Sequence, residues 1–338
     1  MKTGLICFSD AGAALARRLC KTLEIDNTEV HSTKKFAVPN GFTSHETIRA
    51  DMKTLFHRYD ALIFICAVGI AVREIAPHVK DKTEDPAVLV IDDRGQYVIP
   101  ILSGHIGGAN ALARRVAALI GAIPVVTTAT DVNGKFSCDA WATEHNCVLS
   151  SMNTAKEVSA AILTRDLPVA SEYPLPEALP GGLVKSETGQ LGIYIGIKTK
   201  MPFIETLRLI PRIVTLGVGC RRETPENTIS EAVAAVLGEN GIDVRAVYRI
   251  ASIDVKKDEA GLLACAGKLG VPAVFYSAQA LNAIPGEFEE SAFVKQTVGV
   301  GNVCERAAAC AGGKLLVRKT ALNGVTVAAA VEDWSVTF

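Results

Sequence analysis

The segment Leu102-Ser103-Gly104-His105-Ile106-Gly107-Gly108-Ala109-Asn110 joins an imidazole to three glycines. It follows an apolar run (Tyr97–Leu102) and precedes an Ala-rich stretch. Glycines let a backbone approach a ligand closely. A helix starting here offers free N–H groups and a partial positive charge, an anion site for phosphate or carboxylate. No Gly-Lys-Ser/Thr follows, so the loop is not a Walker A motif, nor is it a good Gly-x-Gly-x-x-Gly. The same residues would equally make a tight strand-to-helix turn with a capping histidine. A second segment, Thr127-Thr128-Ala129-Thr130-Asp131, places three hydroxyls and a carboxylate just beyond an apolar strand. In open α/β sheets ligands bind at the carboxyl ends of strands. Asp131 is there a candidate base or acceptor, against the plain alternative of a hydroxyl-rich turn capping the next helix.

Three further segments carry charge at element junctions. Val68-Gly69-Ile70-Ala71-Val72-Arg73 puts Arg73 in an apolar helix start. Such an arginine calls for an anion or a carboxylate partner, and Glu74 next to it does not face it. Lys80 and Lys82 read as solvated loop charges. Gly217-Val218-Gly219-Cys220-Arg221-Arg222 reads as strand, Gly turn, then helix, with paired guanidinium groups suited to carboxylates. Asp254-Val255-Lys256-Lys257-Asp258-Glu259 sets Lys256 and Glu259 at a strand-to-helix junction, where a surface ion pair is the plain reading. The remaining histidines, at 31, 45, 57, 78 and 145, have no ligand-like spacing. His45 and His57 are expected on a polar helix face, and no protein-bound metal centre is expected.

The elements that must position these groups follow from periodicity. Leu5–Phe8, Ala61–Cys66, Val88–Ile91 and Pro124–Thr127 read as strands, and Ala11–Leu23 and Gly107–Ile120 as helices. Continuous apolar runs such as Ala61–Cys66 suit strands buried on both faces. This alternation predicts a mostly parallel sheet flanked by helices. Pro168, Pro174, Pro176, Pro180 and Gly181-Gly182 mark a loop or boundary. Around them lie one helix (Ala155–Leu163) and two short strands (Gly192–Ile197, Ile204–Ile210). From Ile213 the rhythm returns. Strands are expected at Ile213–Val218, Tyr248–Ile253, Val271–Tyr276 and Val325–Val331. Helices are expected from Thr224-Pro225-Glu226 (Thr as N-cap, Pro at the first position), over Glu259–Leu269 and over Val303–Ala311. The expected fold class is α/β: two three-layer domains with mostly parallel sheets, residues 1–150 and 212–338, joined by a small α+β middle module, 151–211.

Composition narrows the function classes. The chain has 338 residues, 49% hydrophobic and 21% charged, with 35 basic against 36 acidic side chains. That is globular composition, not disorder. It lacks the basic excess of a nucleic-acid clamp. The longest apolar run, Ala61 to Val72, is short of the roughly 20 residues of a membrane span. The N-terminus reads as a first strand, not a signal peptide. A cytoplasmic protein is expected. The nine cysteines are scattered without a Cys-x-x-Cys pair, so they read as reduced, buried thiols.

Taken together, these segments resemble the CbiG family of cobalt-precorrin-5A hydrolases. The resemblance rests on Gly69-Ile70 with Val72-Arg73, Ala76-Pro77, Asp81-Lys82, Asp85-Pro86-Ala87-Val88, Ser103-Gly104-His105, Gly107-Gly108-Ala109-Asn110 and Thr127-Thr128-Ala129-Thr130-Asp131. In the C-terminal part it rests on Gly217, Gly219-Cys220-Arg221-Arg222, Ser252-Ile253-Asp254, Lys256, Glu259-Ala260-Gly261-Leu262 and Gly324-Val325-Thr326-Val327-Ala328. It implies a cobalt-containing contracted-ring substrate bearing many carboxylates and a δ-lactone. The lactone is opened and acetaldehyde is lost, giving cobalt-precorrin-5B, in anaerobic cobalamin biosynthesis. The resemblance implies no cofactor bound by the protein, since the substrate carries the cobalt. Its partner is this corrinoid intermediate, with no nucleic acid and no membrane. A homodimer and contacts with neighbouring cobalamin-pathway enzymes stay open. On chemistry and position, His105 is the expected acid/base, Asp131 its orienter or a second base, and Glu259 a further acid/base candidate. Gly107 and Gly108 offer N–H groups for an oxyanion hole or a peripheral carboxylate. Arg73, Ser103, Gly104, Asn110, Thr127, Thr128, Arg221, Arg222 and Lys256 are expected to bind substrate, in a cleft sized for a macrocycle. Two competing readings share the Gly-rich cationic features: a non-catalytic tetrapyrrole carrier and a phosphate- or nucleotide-binding enzyme.

Overall fold

The structure, a computed structural model, describes all residues except 23–26, 82, 83 and 106. The expected helix end at Leu23, the loop charge Lys82 and the loop residue Ile106 lie outside the described residues. The chain is α/β and divides into two compact units, Met1–Thr143 and Glu144–Phe338. No helix among the described residues is long and apolar enough to cross a membrane.

The first unit is built on strands β1 (Thr3–Cys7), β2 (Thr28–Thr33), β3 (Thr43–His45), β4 (Ala61–Ile65), β5 (Ala87–Ile91), β6 (Tyr97–Leu102) and β7 (Ile123–Pro124). Its helices are α1 (Asp10–Thr22), α2 (Lys34–Ala37), α3 (Ile48–Arg58), α4 (Val68–Ile75), α5 (Ala109–Ile120), α6 (Ala129–Val132) and, at its border, α7 (Cys138–Glu144). The strands form one sheet, ordered β3-β2-β1-β4-β5-β6-β7. β1, β4 and β5 are buried along their whole length, as continuous apolar runs require. Alternate residues serve opposite faces. Leu5, Ile63 and Ile65 pack against α1 and α5, while Ile6, Leu62 and Phe64 pack against α3 and α4.

One reversal decides where the chemistry sits. After β5, Asp92 accepts backbone N–H bonds from Gln96 and Tyr97 at 2.8 and 2.7 Å, and Gly95 takes φ 67°. The resulting hairpin makes β6 antiparallel to β5, pairing Ile91 with Val98 and Val88 with Leu102. β7 then runs parallel to β6. The loop after β6 therefore emerges at the edge where β4 and β5 begin, opposite the carboxyl ends of β1, β4 and β5. The strand expected at Pro124–Thr127 is shorter and earlier. It pairs only through Ile123 and Pro124, which releases Thr127 and Thr128 into the loop. His45 belongs to β3 rather than to a helix, and His57 lies on the exposed side of α3.

The second unit holds two five-stranded sheets. β8 (Cys147–Leu149), β9 (Leu167–Ser171), β10 (Leu183–Lys185), β11 (Leu191–Ile195) and β12 (Glu205–Pro211) are ordered β10-β9-β11-β12-β8, with α8 (Met152–Ala161). Only β8 is antiparallel to its neighbour. The other sheet, β15-β14-β13-β17-β16, consists of β13 (Val214–Gly219), β14 (Val247–Ile253), β15 (Ala273–Tyr276), β16 (Lys314–Leu322) and β17 (Val325–Val331). Its helices are α9 (Glu226–Glu239), α10 (Ala260–Leu269), α11 (Ala278–Ala283), α12 (Ala292–Val298) and α13 (Val303–Gly312). α9 and α10 pack on one face through Ile229, Val233 and Leu262. α11 and α13 cover the other through Leu281, Val303 and Ala307. Gly270, at φ 66°, ends α10 in the left-handed cap that a C-terminal glycine favours.

Candidate active site

The loop after β6 is shaped by contacts with its own neighbours. Ser103 holds φ 54°, and its hydroxyl donates to the Asp85 carbonyl at 2.9 Å. The Asp85 carboxylate in turn accepts the Lys80 N–H at 3.1 and 3.0 Å. The N–H groups of Ala109 and Asn110 donate to the carbonyls of Ser103 and Gly104, which seals the loop onto α5. Two glycines are demanded by space. A Cβ at Gly107 would lie 2.4 Å from the Ser103 Cβ, and one at Gly104 2.9 Å from the Asn110 side-chain oxygen. Gly108 takes φ 78° and donates its N–H to the His105 carbonyl at 2.9 Å, which closes the turn.

This loop holds His105 in a polar cluster. Its Nε2 lies 2.8 Å from Asp131 Oδ2. Its Nδ1 lies 3.1 Å from Asp139 Oδ1 and 3.1 Å from the Ser137 hydroxyl. Ser137 donates to Asp139 Oδ1 at 2.7 Å. Both oxygens of Asp131 have further partners. Oδ1 accepts from Arg114, and Oδ2 also accepts from Asn110 Nδ2 at 3.0 Å. Asn110 Nδ2 reaches the Thr128 hydroxyl as well, at 2.8 Å. The Thr130 hydroxyl, on a residue 4% exposed, lies 3.4 Å from Nε2.

The partners define the ring's charge. A neutral imidazole carries one N–H, so one nitrogen lone pair would face a carboxylate oxygen at 2.8 or 3.1 Å. Protonation of both nitrogens removes that repulsion. Burial works against the charged ring, but Asp139 and Asp131 outweigh it and hold its pKa above the ordinary histidine value. Burial likewise opposes the charge on Asp139, yet His105 and Ser137 draw its pKa down to about 2. For Asp131 the burial penalty is overcome by Arg114 and His105, and its pKa is lowered too. The cluster sets an imidazole between two carboxylates, an arrangement that favours its protonated form and orients the ring.

The structure thus gathers His105, Asn110, Thr128 and Asp131 around the shaping residues Ser103, Gly104, Gly107 and Gly108. Thr127 is exposed and stays outside the cluster; Thr130 reaches the ring instead. Arg73 is exposed on α4 and donates to the Gly69 carbonyl at 3.2 Å, within its own helix. Sequence reasoning missed Ser137, Asp139 and Arg114. Arg114 was within reach, four residues beyond Asn110 and so on the same face of α5. Ser137-Cys138-Asp139 carries only the look of a helix start, with nothing local to tie it to His105.

The C-terminal charges surround a different feature. A cavity of about 730 Å³ opens beyond the carboxyl ends of β13 and β14, where α9 and α10 begin. Neither helix start has a side-chain cap. The cavity is lined by Arg222, Glu223, Glu226, Asp258, Glu259 and Gly261, among others. A Cβ at Gly261 would lie 2.0 Å from the Thr224 carbonyl oxygen, so glycine is needed where the two helix starts meet. Glu259 is tied to Lys256 Nζ at 3.0 Å, both side chains being nearly buried. Arg221 and Arg222 are exposed. Two expectations are corrected here. Pro225, not Thr224, is the N-cap of α9, and the Thr224 hydroxyl donates backward to the Arg221 carbonyl at 2.9 Å. Gly217 and Gly219 lie inside β13 rather than in a turn. A Cβ there would lie 1.8 Å from the Cys304 carbonyl oxygen or 2.6 Å from Thr326 Oγ1, so these glycines serve helix and strand packing. Burial pushes the Cys220 thiol pKa up, which disfavours a thiolate. Among the described residues, no group of three or more His, Cys, Asp or Glu side chains is arranged to hold a metal ion.

Two family models match the chain: cobalamin synthesis G N-terminal over residues 50–131, and cobalamin synthesis G C-terminus over residues 214–330. The chain is 37% identical to a cobalt-precorrin-5A hydrolase of Salmonella typhimurium, covering 96% of this chain and 95% of that one. It is 35% identical to a cobalt-precorrin-5A hydrolase of Priestia megaterium, covering 84% and 82%. Among solved structures it is similar to a cobalamin biosynthesis protein G homologue from Sulfolobus solfataricus. That match has 23% identity and a TM-score of 0.42, covering 98% and 97% of the two chains.

Proposed function

This chain belongs to the CbiG family of cobalt-precorrin-5A hydrolases, and we propose that its chemistry runs at the His105 imidazolium held by Asp131. It is a hydrolase acting on cobalt-precorrin-5A in cobalamin biosynthesis. In this reading water attacks the lactone carbonyl and the ring C–O bond breaks. The proton on His105 Nε2 passes to the departing alkoxide, and the proton lost by the attacking water restores the ring. The freed hydroxyl then passes its proton to solvent water. The adjacent C–C bond breaks, its electron pair enters the electron-poor macrocycle, and acetaldehyde leaves.

The observation that carries this reading is the fit of His105 between two carboxylates, beside backbone bonds from Ala109 and Asn110 to Ser103 and Gly104. A positioned acid contributes about 10²- to 10⁴-fold to such a step. Asp131 orients the ring and stabilises its charge. Its oxygens are engaged by Arg114, Asn110 and His105 and its pKa is lowered, which suits an orienter better than a base. Arg221 and Arg222, exposed near the starts of α9 and α10, are proposed to hold peripheral carboxylates of the substrate, with Glu259 fixing Lys256 behind them. The cobalt enters with the substrate. A cytoplasmic location belongs to the same proposal, because the substrate is a water-soluble polycarboxylate.

The test is acetaldehyde release from enzymatically prepared cobalt-precorrin-5A, against a no-enzyme control and correctly folded His105→Ala. Enzyme-dependent release that His105→Ala abolishes is the expected result. Near-native turnover in both His105→Ala and Asp131→Ala would place the chemistry elsewhere.

A further inference from the structure

Asp139 has no part in the motifs that led to the site, yet it is the second carboxylate within 3.1 Å of the His105 ring. It sits in the first turn of α7, is 8% exposed, and turns Oδ1 toward His105 Nδ1 at 3.1 Å. That oxygen is fixed from two more directions, by the Ser137 hydroxyl at 2.7 Å and the Ala140 N–H at 3.0 Å. The charges around the ring can be counted. Asp131 and Asp139 contribute two negative charges, and Arg114 on Asp131 contributes one positive charge. Thr130, Ser137 and Asn110 supply neutral polar groups. Among these described groups the charges balance when His105 carries a charge, and a half-buried net charge is costly.

We propose that Asp139, held by Ser137, is a positioning residue that keeps His105 protonated on both ring nitrogens, so that the ring enters the reaction as an acid. The proposal deepens the reading that His105 is the catalytic group, and its acid role rests on that reading. When Nε2 gives up its proton, Nδ1–H stays on Asp139, which remains ionised throughout. The neutral ring then has one tautomer, with its lone pair at Nε2, ready to recover the proton from the attacking water. Asp139 thereby fixes Nε2 as the nitrogen that exchanges protons with substrate, and the Asp131 carboxylate facing the bare Nε2 favours return of the proton.

The test uses the full-length Asp139→Asn variant and reads the ring directly. Imidazole nitrogen NMR follows the titration of His105, its signals assigned by their loss in His105→Ala. The wild-type ring should show both nitrogens protonated through neutral pH. In Asp139→Asn the His105 midpoint should fall by about one pH unit or more, because an opposite charge at contact distance is removed. The alkaline limb of kcat should move down with it, KM should change little, and Asp139→Glu should recover part of both. An unchanged His105 midpoint overturns the positioning role. A lowered midpoint with an unmoved kcat profile upholds the clamp and overturns the acid role. Should Asp139→Asn fail to fold, Ser137→Ala keeps the carboxylate but removes one of its donors. The same downward shift, smaller in size, is then expected, and its absence overturns the proposal.

Discussion

In the N-terminal cluster the charges face one another, whereas around the C-terminal cavity several of them face space. Asp131 and Asp139 converge on the two ring nitrogens of His105, and Arg114 sits on Asp131. At the cavity, Glu226 is paired with Lys268 and Glu259 with Lys256, each at 3.0 Å. Arg222, Glu223 and Asp258 line the same cavity and form no ion pair among the described residues. The difference fits the two jobs proposed for these regions. A group that moves a proton gains from partners fixed in advance, because nothing then has to reorganise during the step. A surface that receives a large, highly charged ligand must leave its groups available, and water screens them until the ligand arrives. The glycines follow the same division. Gly104 and Gly107 are small so that the His105 loop can fold onto its own side chains. Gly261 is small so that two helix starts can meet beside an open space.

The largest effect expected from this contrast is on catalysis alone. His105→Ala should lower the acetaldehyde-release rate by about 10²- to 10⁴-fold. Binding of the pigment, followed by its absorbance, should change only a few-fold. Equal loss of binding would mean that the two regions do not divide the work.

The next effect concerns acid. His31 is 1% exposed, with Nδ1 2.9 Å from His45 Nε2 and Nε2 2.6 Å from the Tyr59 hydroxyl. Burial, helped by the neighbouring His45, lowers its pKa from 6.5 to about 4. The unfolded chain therefore takes up a proton before the folded one does. Stability is complete above pH 6.5 and falls as pH drops toward 4. The loss amounts to about 3 kcal/mol at 1.36 kcal/mol per pH unit. His105 has the opposite sign. Its raised pKa contributes stability below the unfolded value, and that contribution is lost as pH rises through the folded value. Hydrogen exchange on the full chain at pH 5 and pH 7.5 should show the first unit loosening in acid more than the second.

The smallest effect is on affinity. Replacing both Arg221 and Arg222 by Ala should raise KM about tenfold with kcat unchanged, and should weaken the dependence of KM on salt. A fall in kcat instead would draw the cavity into the chemistry and blur the contrast.

Much of this architecture could be read in the residues. Ala61–Ile65 and Ala87–Ile91 are strands because unbroken apolar runs need cover on both faces. The helix ending at Gly270 stops where a left-handed residue is available. The strands Thr28–Thr33 and Thr43–His45 were not legible, because Thr, Ser and His dominate them and periodicity has little to act on. In the middle region the strands around Tyr194 and Leu207 were legible. Leu167–Ser171 and Leu183–Lys185 were hidden among the prolines.

The same division runs through the site. The sequence by itself determined the family, the Gly-rich loop, and the candidacy of His105, Asn110, Thr128 and Asp131, because each depends on residues within a few positions of one another. Tertiary structure alone decided that the loop opens at the amino-terminal edge of β4 and β5, that Thr130 rather than Thr127 reaches the ring, and that Asp139 completes the pair of carboxylates. Those outcomes depend on the reversal at Asp92–Gly95 and on the return of the chain through Ser137 to His105. A contact made across 34 residues follows from sheet register and helix placement, which no local spacing encodes.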